Sequence, residues 1–156
     1  MRARDKFTVQ RATIADLDLV APLFDAYRQF YRKAPDAALA RQFLLERLRN
    51  KDSMILLAAD SSGSVIGFTQ LYPSFTSLSA ARIFVLNDLF VVPEARRSGV
   101  GRQLLAAAKD FAQNEGAVGL TLSTEVTNTA AQALYESAGW VRQEDFYTYR
   151  LACAYD

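Results

Sequence analysis

Leu89-Phe90-Val91-Val92-Pro93-Glu94-Ala95-Arg96-Arg97-Ser98-Gly99-Val100-Gly101-Arg102 is the stretch on which the fold turns: an apolar strand stops at a proline, and a helix then opens through a pair of glycines. In the first turn of a helix several backbone N–H groups have no intrahelical acceptor, and the macrodipole is positive there. Glycines at such a place let the main chain close on an anion. Arg96, Arg97 and Arg102 add positive charge where phosphates would lie. The stretch therefore reads as a phosphate-gripping turn between a strand and a helix.

The same letters exclude two commoner nucleotide loops. A Walker A loop needs Gly-Lys-Ser/Thr, with the lysine on the terminal phosphates and the hydroxyl on magnesium, whereas Gly101 is followed by Arg102-Gln103. A dinucleotide fingerprint needs a third glycine or an alanine where Leu104 stands, and a parallel βαβ unit around it.

Composition narrows the chemistry further. At 156 residues the chain is one domain's worth, able to bury roughly two thirds of its unfolded surface around a single core. Lys plus Arg number 18 against 17 Asp plus Glu, a formal charge of +1, so neither nucleic acid nor a membrane surface is expected as a general partner. Histidine is absent, which excludes Ser-His-Asp, Cys-His and histidine-based zinc chemistry. With a single cysteine, Cys153, and no spaced Asp/Glu cluster, no metal is expected. That lone thiol suits a reducing compartment. No apolar run approaches the roughly 20 residues of a membrane span. Met1-Arg2-Ala3-Arg4-Asp5-Lys6 leads into polar alternation rather than a signal-peptide core. A cytoplasmic location is the expectation.

Outward from the glycine turn the periodicities order themselves. Phe7 to Arg11 alternates as a half-buried strand, Thr13-x-x-Asp16 is a capping signal, and Leu17, Val20, Phe24, Tyr27 and Tyr31 recur at helical spacing. After Pro35-Asp36, the residues Leu39, Phe43, Leu44 and Leu48 predict a second amphipathic helix ending near Asn50. Met54 to Ala59 and Val65 to Tyr72 predict strands joined by the turn Asp60-Ser61-Ser62-Gly63-Ser64. Pro73 to Ala80 reads as a loop, and Arg82 to Val92 as a long strand. Val100, Leu104, Ala107, Ala108 and Phe111 give the next helix one apolar face. Val118 to Thr124 is a strand, Ala130 to Ala138 a helix closed by Gly139, and Val141 onward with Phe146 to Leu151 supplies final strands. The order β-α-α-β-β-β-α-β-α-β-β is a mixed α/β arrangement.

Arg96-x-x-Gly99-x-Gly101, followed by Asn128-x-x-Ala131-x-x-Leu134-Tyr135-x-x-x-Gly139-Trp140, resembles the GNAT superfamily of acetyl-CoA-dependent N-acetyltransferases. Leu86-Asn87-Asp88-Leu89-Phe90-Val91 looks closest to its polyamine and diamine acetyltransferase branch. The resemblance implies one GNAT domain over residues 1–156. Its sheet would be mostly antiparallel, of about seven strands flanked by about four helices, with the fourth and fifth strands splayed apart. It implies that the pantetheine arm of acetyl-CoA lies in that splay against the backbone of Leu89, Phe90 and Val91. The pyrophosphate would sit on the turn of Arg96, Arg97, Ser98, Gly99, Val100, Gly101 and Arg102. Asn128 is a good helix cap and, by the resemblance, also bonds the CoA arm. Tyr135, two helical turns further on, is implied as the general acid that protonates the departing thiolate.

The general base stays open. Polyamine-type relatives carry a glutamate where Asn87 stands, and an asparagine cannot take a proton. Strand alternation turns Asp88 to the opposite face from Asn87, where it either serves the amine or braces a neighbouring strand. Glu125 and a water chain are the other candidates. The resemblance places the acceptor against the first two helices and the loop after the third strand, a surface that includes Asp25, Tyr27, Arg28, Tyr31, Tyr72 and Asn87. Tyr27 and Tyr31 equally suit the core stripe of their helix. Mixed charge there fits a small amine or a lysine-like acceptor as well as a polyamine. The expected activity is acetyl transfer from acetyl-CoA to a primary amine by direct attack; relatives that pair through strands point to a homodimer by analogy alone, and the sequence leaves assembly open. The rival readings are a non-catalytic acyl-CoA-binding regulatory module and a transferase for a longer acyl chain.

Overall fold

The computed structural model describes residues 7–154, so the stretch Met1 to Lys6 weighed above lies outside the described residues. The chain forms two compact units that meet in sequence between Ser123 and Thr124.

The first unit runs β1 (Phe7–Arg11), α1 (Leu17–Phe30), α2 (Ala37–Asn50), β2 (Met54–Asp60), β3 (Val65–Thr76), β4 (Ala81–Val91), α3 (Val100–Asn114) and β5 (Gly119–Thr121). Its strands form one sheet in the order β1-β2-β3-β4-β5. The first four pair antiparallel, and β4 with β5 is parallel. Local chemistry sets the joints. The Thr13 N–H donates to the Asp16 carboxylate at 2.8 Å ahead of α1, and Asp36 caps α2 by accepting from the Leu39 N–H at 3.0 Å. Between β2 and β3 the Asp60 carboxylate takes the N–H groups of Ser62 and Ser64, and the Ser62 hydroxyl holds its pKa below the ordinary value. Gly63, with φ +86°, completes that turn.

The pleat divides the sheet into two faces. Phe68 and Phe90 sit opposite each other in β3 and β4 and join Leu17, Val20, Phe24 and Leu44 of α1 and α2 in one buried cluster. Each such side chain withdrawn from water contributes about 1.5–3 kcal/mol. On the other side of β3, Gly67 lies under α3. A Cβ there would meet the Phe90 carbonyl oxygen at 3.0 Å and the Leu104 and Val100 side chains at 3.3 Å. This close approach seats the first turn of α3 beside the end of β4.

Several sequence expectations change. Pro73 to Ala80 is not a loop: β3 and β4 stay paired from Pro73↔Phe84 to Thr76↔Ala81, and only Ser77–Ala80 turns. The last β2 partner of β3 is Leu71; past it one edge of β3 has no ladder, and a proline is tolerated. The strand expected over Val118 to Thr124 shrinks to Gly119–Thr121. Among the described residues the sheet has five strands, not about seven, because 141–154 forms none. Val141, Phe146, Tyr149 and Leu151 are 77–91% exposed. Alternating apolar residues suit a pleated surface, but a strand exists only where a partner takes its hydrogen bonds.

The second unit contains α4 (Thr129–Ser137) and the extended residues that follow it. No helix among the described residues is long and apolar enough to cross a membrane.

Candidate active site

Parallel pairing of β4 with β5 covers only Ile83↔Gly119, Phe84↔Leu120 and Val85↔Thr121, whereas β4 continues to Val91. From Leu86 onward, no strand among the described residues pairs with that edge of β4, so the splay expected between the fourth and fifth strands is present. The Val92 N–H donates to Ile66 of β3 at 2.9 Å. Alternation then turns the N–H and C=O groups of Phe90 toward β3 and those of Leu89 and Val91 toward the open edge. An extended amide-bearing chain could add to this edge as a strand does.

The open edge runs into the glycine turn. After a short 3-10 turn at Pro93–Ala95, Arg97 has φ +62° and Gly99 φ +89°. Gly99 is the N-cap residue of α3, and the first intrahelical bond is Gln103 N–H to the Gly99 carbonyl at 3.0 Å. The N–H groups of Val100 and Gly101 therefore precede the helical ladder and lie at its positive end. Left-handed residues on either side of Ser98, followed by the unpaired N–H groups of a helix start, give a turn of N–H groups that suits an anion. Ser98 turns its hydroxyl inward onto the Ala95 carbonyl. Arg96 does not reach outward as expected: its Nε donates to the Val91 carbonyl at 2.9 Å, and its guanidinium lies 5.5 Å from the Phe30 ring centre and 5.6 Å from that of Phe90. It fastens the turn to the end of β4, although it is exposed, as Arg97 and Arg102 are. The arrangement fits the pantetheine and pyrophosphate of acetyl-CoA on backbone grounds.

A second cluster lies on the α1 face of the sheet. The β3–β4 register passes from Gln70↔Asp88 to Leu71↔Leu86, leaving Asn87 as a bulge. The bulge corrects simple alternation. Asn87 is exposed and Asp88 buried, yet the Asn87 amide bends back to donate to Asp88 Oδ1 at 2.8 Å. Asp88 is 2% exposed, and Gln70 Nε2 donates to its other oxygen at 2.5 Å. Burial pushes the Asp88 carboxyl above the ordinary 3.8, against the pull of hydrogen bonds from Asn87, Gln70 and the Tyr27 hydroxyl. The single Tyr27 hydroxyl proton is shared between Asp88 and the Asn87 carbonyl, 3.2 Å away. Its ring packs 6.0 Å from Phe68 and 5.1 Å from Tyr31. Burial and the Asp88 charge push the phenols of Tyr27 and Tyr72 up, so both keep their protons and remain donors.

Tyr27, Tyr72, Asn87 and Asp88 are thus brought together. Tyr31 reaches them through Tyr27. Asp25 and Arg28 have other partners: Asp25 binds Arg28 at 2.8 Å and takes the Gln29 amide and the Asp36 N–H, tying α1 to the start of α2. Gln70 escaped the sequence reading, although a glutamine inside the apolar run of β3 was the available signal.

In the second unit Asn128 caps α4, its Oδ1 accepting from the Ala131 N–H at 3.2 Å. At the other end Gly139 has φ +94°, and the Trp140 N–H returns to the Tyr135 carbonyl at 3.0 Å. This is the left-handed helix stop in which the second residue past the helix packs on the residue it bonds. The Trp140 ring lies 6.2 Å from Tyr135. The spacing Tyr135-x-x-x-Gly139-Trp140 thus has a local mechanical basis. Glu125 precedes this helix, and its carbonyl accepts from the Asn128 N–H at 3.0 Å and the Gln132 amide at 3.2 Å. Among the described residues no group of His, Cys, Asp or Glu is assembled as a metal site.

The pattern of the acetyltransferase (GNAT) family matches residues 20–140. The chain is 50% identical over 143 residues to the uncharacterized N-acetyltransferase YhfO of Bacillus subtilis, covering 92% of this chain and 95% of that protein. A crystal structure of a probable acetyltransferase superimposes with a TM-score of 0.90 at 43% identity, over 96% of this chain and 99% of that one. The fold is shared, at TM-score 0.78 and 23% identity, with AAC(6')-Iy solved with the bisubstrate analogue CoA-S-monomethyl-acetylneamine, over 96% of this chain and 100% of that one.

Proposed function

The chain belongs to the GNAT acetyltransferase family and is an acyltransferase by that membership; from this premise we propose that it moves the acetyl group of acetyl-CoA onto a primary amine by direct attack, as a single catalytic domain. The observation that carries the proposal is the edge of β4, open beyond Val85 and ending in the N-terminal turn of α3. Enzymes of the family use acetyl-CoA as co-substrate, and it supplies the activated thioester. The solved neighbour with a CoA–aminoglycoside conjugate supports an amine as the partner. The family match across residues 20–140 spans both compact units, which supports treating them as one functional domain.

Each group of the chain then has a task. Leu89 and the Val91 N–H offer backbone groups to the pantetheine amides, the Val91 carbonyl being held by Arg96, and the N–H groups around Gly99, Val100 and Gly101 take the pyrophosphate. Arg97 and Arg102 add charge at the rim. Asp88 accepts the proton of the incoming ammonium, directly or through water at Asn87. A carboxyl raised by burial suits that work better than an ordinary surface aspartate. Tyr27 and Tyr72 line the approach with donors and aromatic faces, which favour a cation. Asn128 adds an amide to the CoA arm, and Tyr135 donates a proton to the leaving thiolate, roles supported by the family pattern. Because Asp25 is engaged by Arg28, Gln29 and Asp36, the charge density that would select a polyamine is weak.

The test is release of CoA thiol from acetyl-CoA with polyamines, amino acids, aminoglycosides and lysine peptides, alongside calorimetric titration of acetyl-CoA. Amine-dependent release supports the proposal and ranks the acceptors. Tight binding without release for any amine would favour a regulatory acyl-CoA-binding module instead.

A further inference from the structure

Gln70 is fully buried in the middle of β3, directly across the ladder from Asp88. Its Nε2 donates to Asp88 Oδ2, and its Oε1 accepts from the Ser53 hydroxyl at 2.9 Å. An ionised carboxylate only accepts hydrogen bonds, so the amide must turn its NH2 to Asp88 and its oxygen to Ser53. The hydroxyl then has one sensible orientation, as donor. Ser53-Gln70-Asp88 is a line of one polarity, consistent at every link with the ionised form of Asp88.

We propose that Gln70, turned by Ser53, is a positioning residue that holds the Asp88 carboxylate as proton acceptor. This rests on the reading of Asp88 as the base. The groups against Asp88 are the amides of Gln70 and Asn87 and the phenol of Tyr27, with the Tyr72 phenol, protonated and uncharged, also within its electrostatic reach. Amide donors steady a carboxylate inside the sheet without the strong loss of proton affinity that an adjacent arginine or lysine would bring. Gln70 pins one oxygen; the other is left toward Asn87, the exposed member of the pair.

The experiment titrates the full chain, labelled with carbon-13 in its aspartate carboxyls, as the parent, Asp88→Asn (to assign the signal), Gln70→Met and Gln70→Glu. The acid limb of turnover is recorded on the same proteins with whichever panel amine is acetylated. Loss of the amide donor in Gln70→Met is expected to raise the Asp88 midpoint by about one pH unit. Gln70→Glu should raise it further, because like charges resist joint ionisation. The acid limb of kcat should move with the midpoint, while the KM for acetyl-CoA stays near the parent value. If the midpoint does not move, the positioning role is overturned, whatever Asp88 does. If the midpoint moves and the limb does not, or if Asp88→Asn keeps full turnover, the base reading fails and the catalytic sense of the proposal fails with it. Should the Gln70 variants not fold, Ser53→Ala removes the outer link alone and must produce a smaller shift in the same direction. No shift there counts against the proposal.

Discussion

Asp88 places a carboxylate inside the sheet with amides and a phenol, not a cation, against it. Its folded pKa is raised, so the native protein holds that proton more tightly than the unfolded chain. The resulting stabilisation is fully present below 3.8 and is lost as pH rises through the folded value. Asp88→Asn cannot titrate. Relative to the parent it should therefore gain stability on going from acid to neutral pH, as read from urea midpoints at each end. Gly101→Glu should weaken acetyl-CoA binding at least about tenfold in calorimetry, roughly 1.4 kcal/mol, by setting a negative charge among N–H groups that await one. Tyr135→Phe should lower kcat by about a hundredfold or more while leaving acetyl-CoA affinity near the parent value, in line with loss of a general acid. The sequence singles out these positions because the proposed chemistry needs those atoms. The partnership of Asn87 with Asp88 was not, because a bulge breaks the alternation from which a strand's faces are read.

At the scale of elements, helix ends were the most readable parts. Asn128, Gly99 and Gly139 each satisfy a backbone requirement within a few residues of themselves, and such requirements are local. The β3–β4 hairpin arm was misread as a loop because Pro73 disfavours a strand only where its missing N–H would be used. The contact between α3 and β3 was also invisible. Gly67→Ala tests it: the added methyl meets the Phe90 carbonyl oxygen at 3.0 Å and two side chains of α3. The variant should lose about 1–3 kcal/mol in chemical denaturation and bind acetyl-CoA more weakly, since the turn at Gly99 moves with the helix. Unchanged stability and affinity would mean that α3 yields without displacing the turn.

For the molecule as a whole, apolar surface is distributed unevenly. The first unit buries Phe68, Leu71, Leu104 and Leu44 completely, whereas Phe146, Tyr147, Tyr149 and Leu151 of the second are 77–91% exposed. Chymotrypsin should accordingly cut first at the aromatic sites between Phe146 and Tyr149 and leave a large fragment intact, as read by mass spectrometry over time. Early cleavage inside β3 or β4 would contradict the burial pattern. Composition anticipated that a chain of 156 residues could build one substantial core, but not that its final aromatic stretch would lie outside any ladder.

By itself the sequence determined the family, the mixed α/β order, the glycine turn and the cap-and-stop geometry of α4. These rest on short-range needs: an N–H that must find an acceptor, a φ only glycine adopts easily, a periodicity of helix or strand. Tertiary structure alone decided that β5 pairs with only Ile83 to Val85, that Arg96 folds back on Val91, that Asp25 braces α1, and that Gln70 meets Asp88. Each depends on register and on which distant chain arrives alongside. A strand's hydrogen bonds and a buried side chain's partners are supplied by residues whose distance along the chain carries no information about their distance in space.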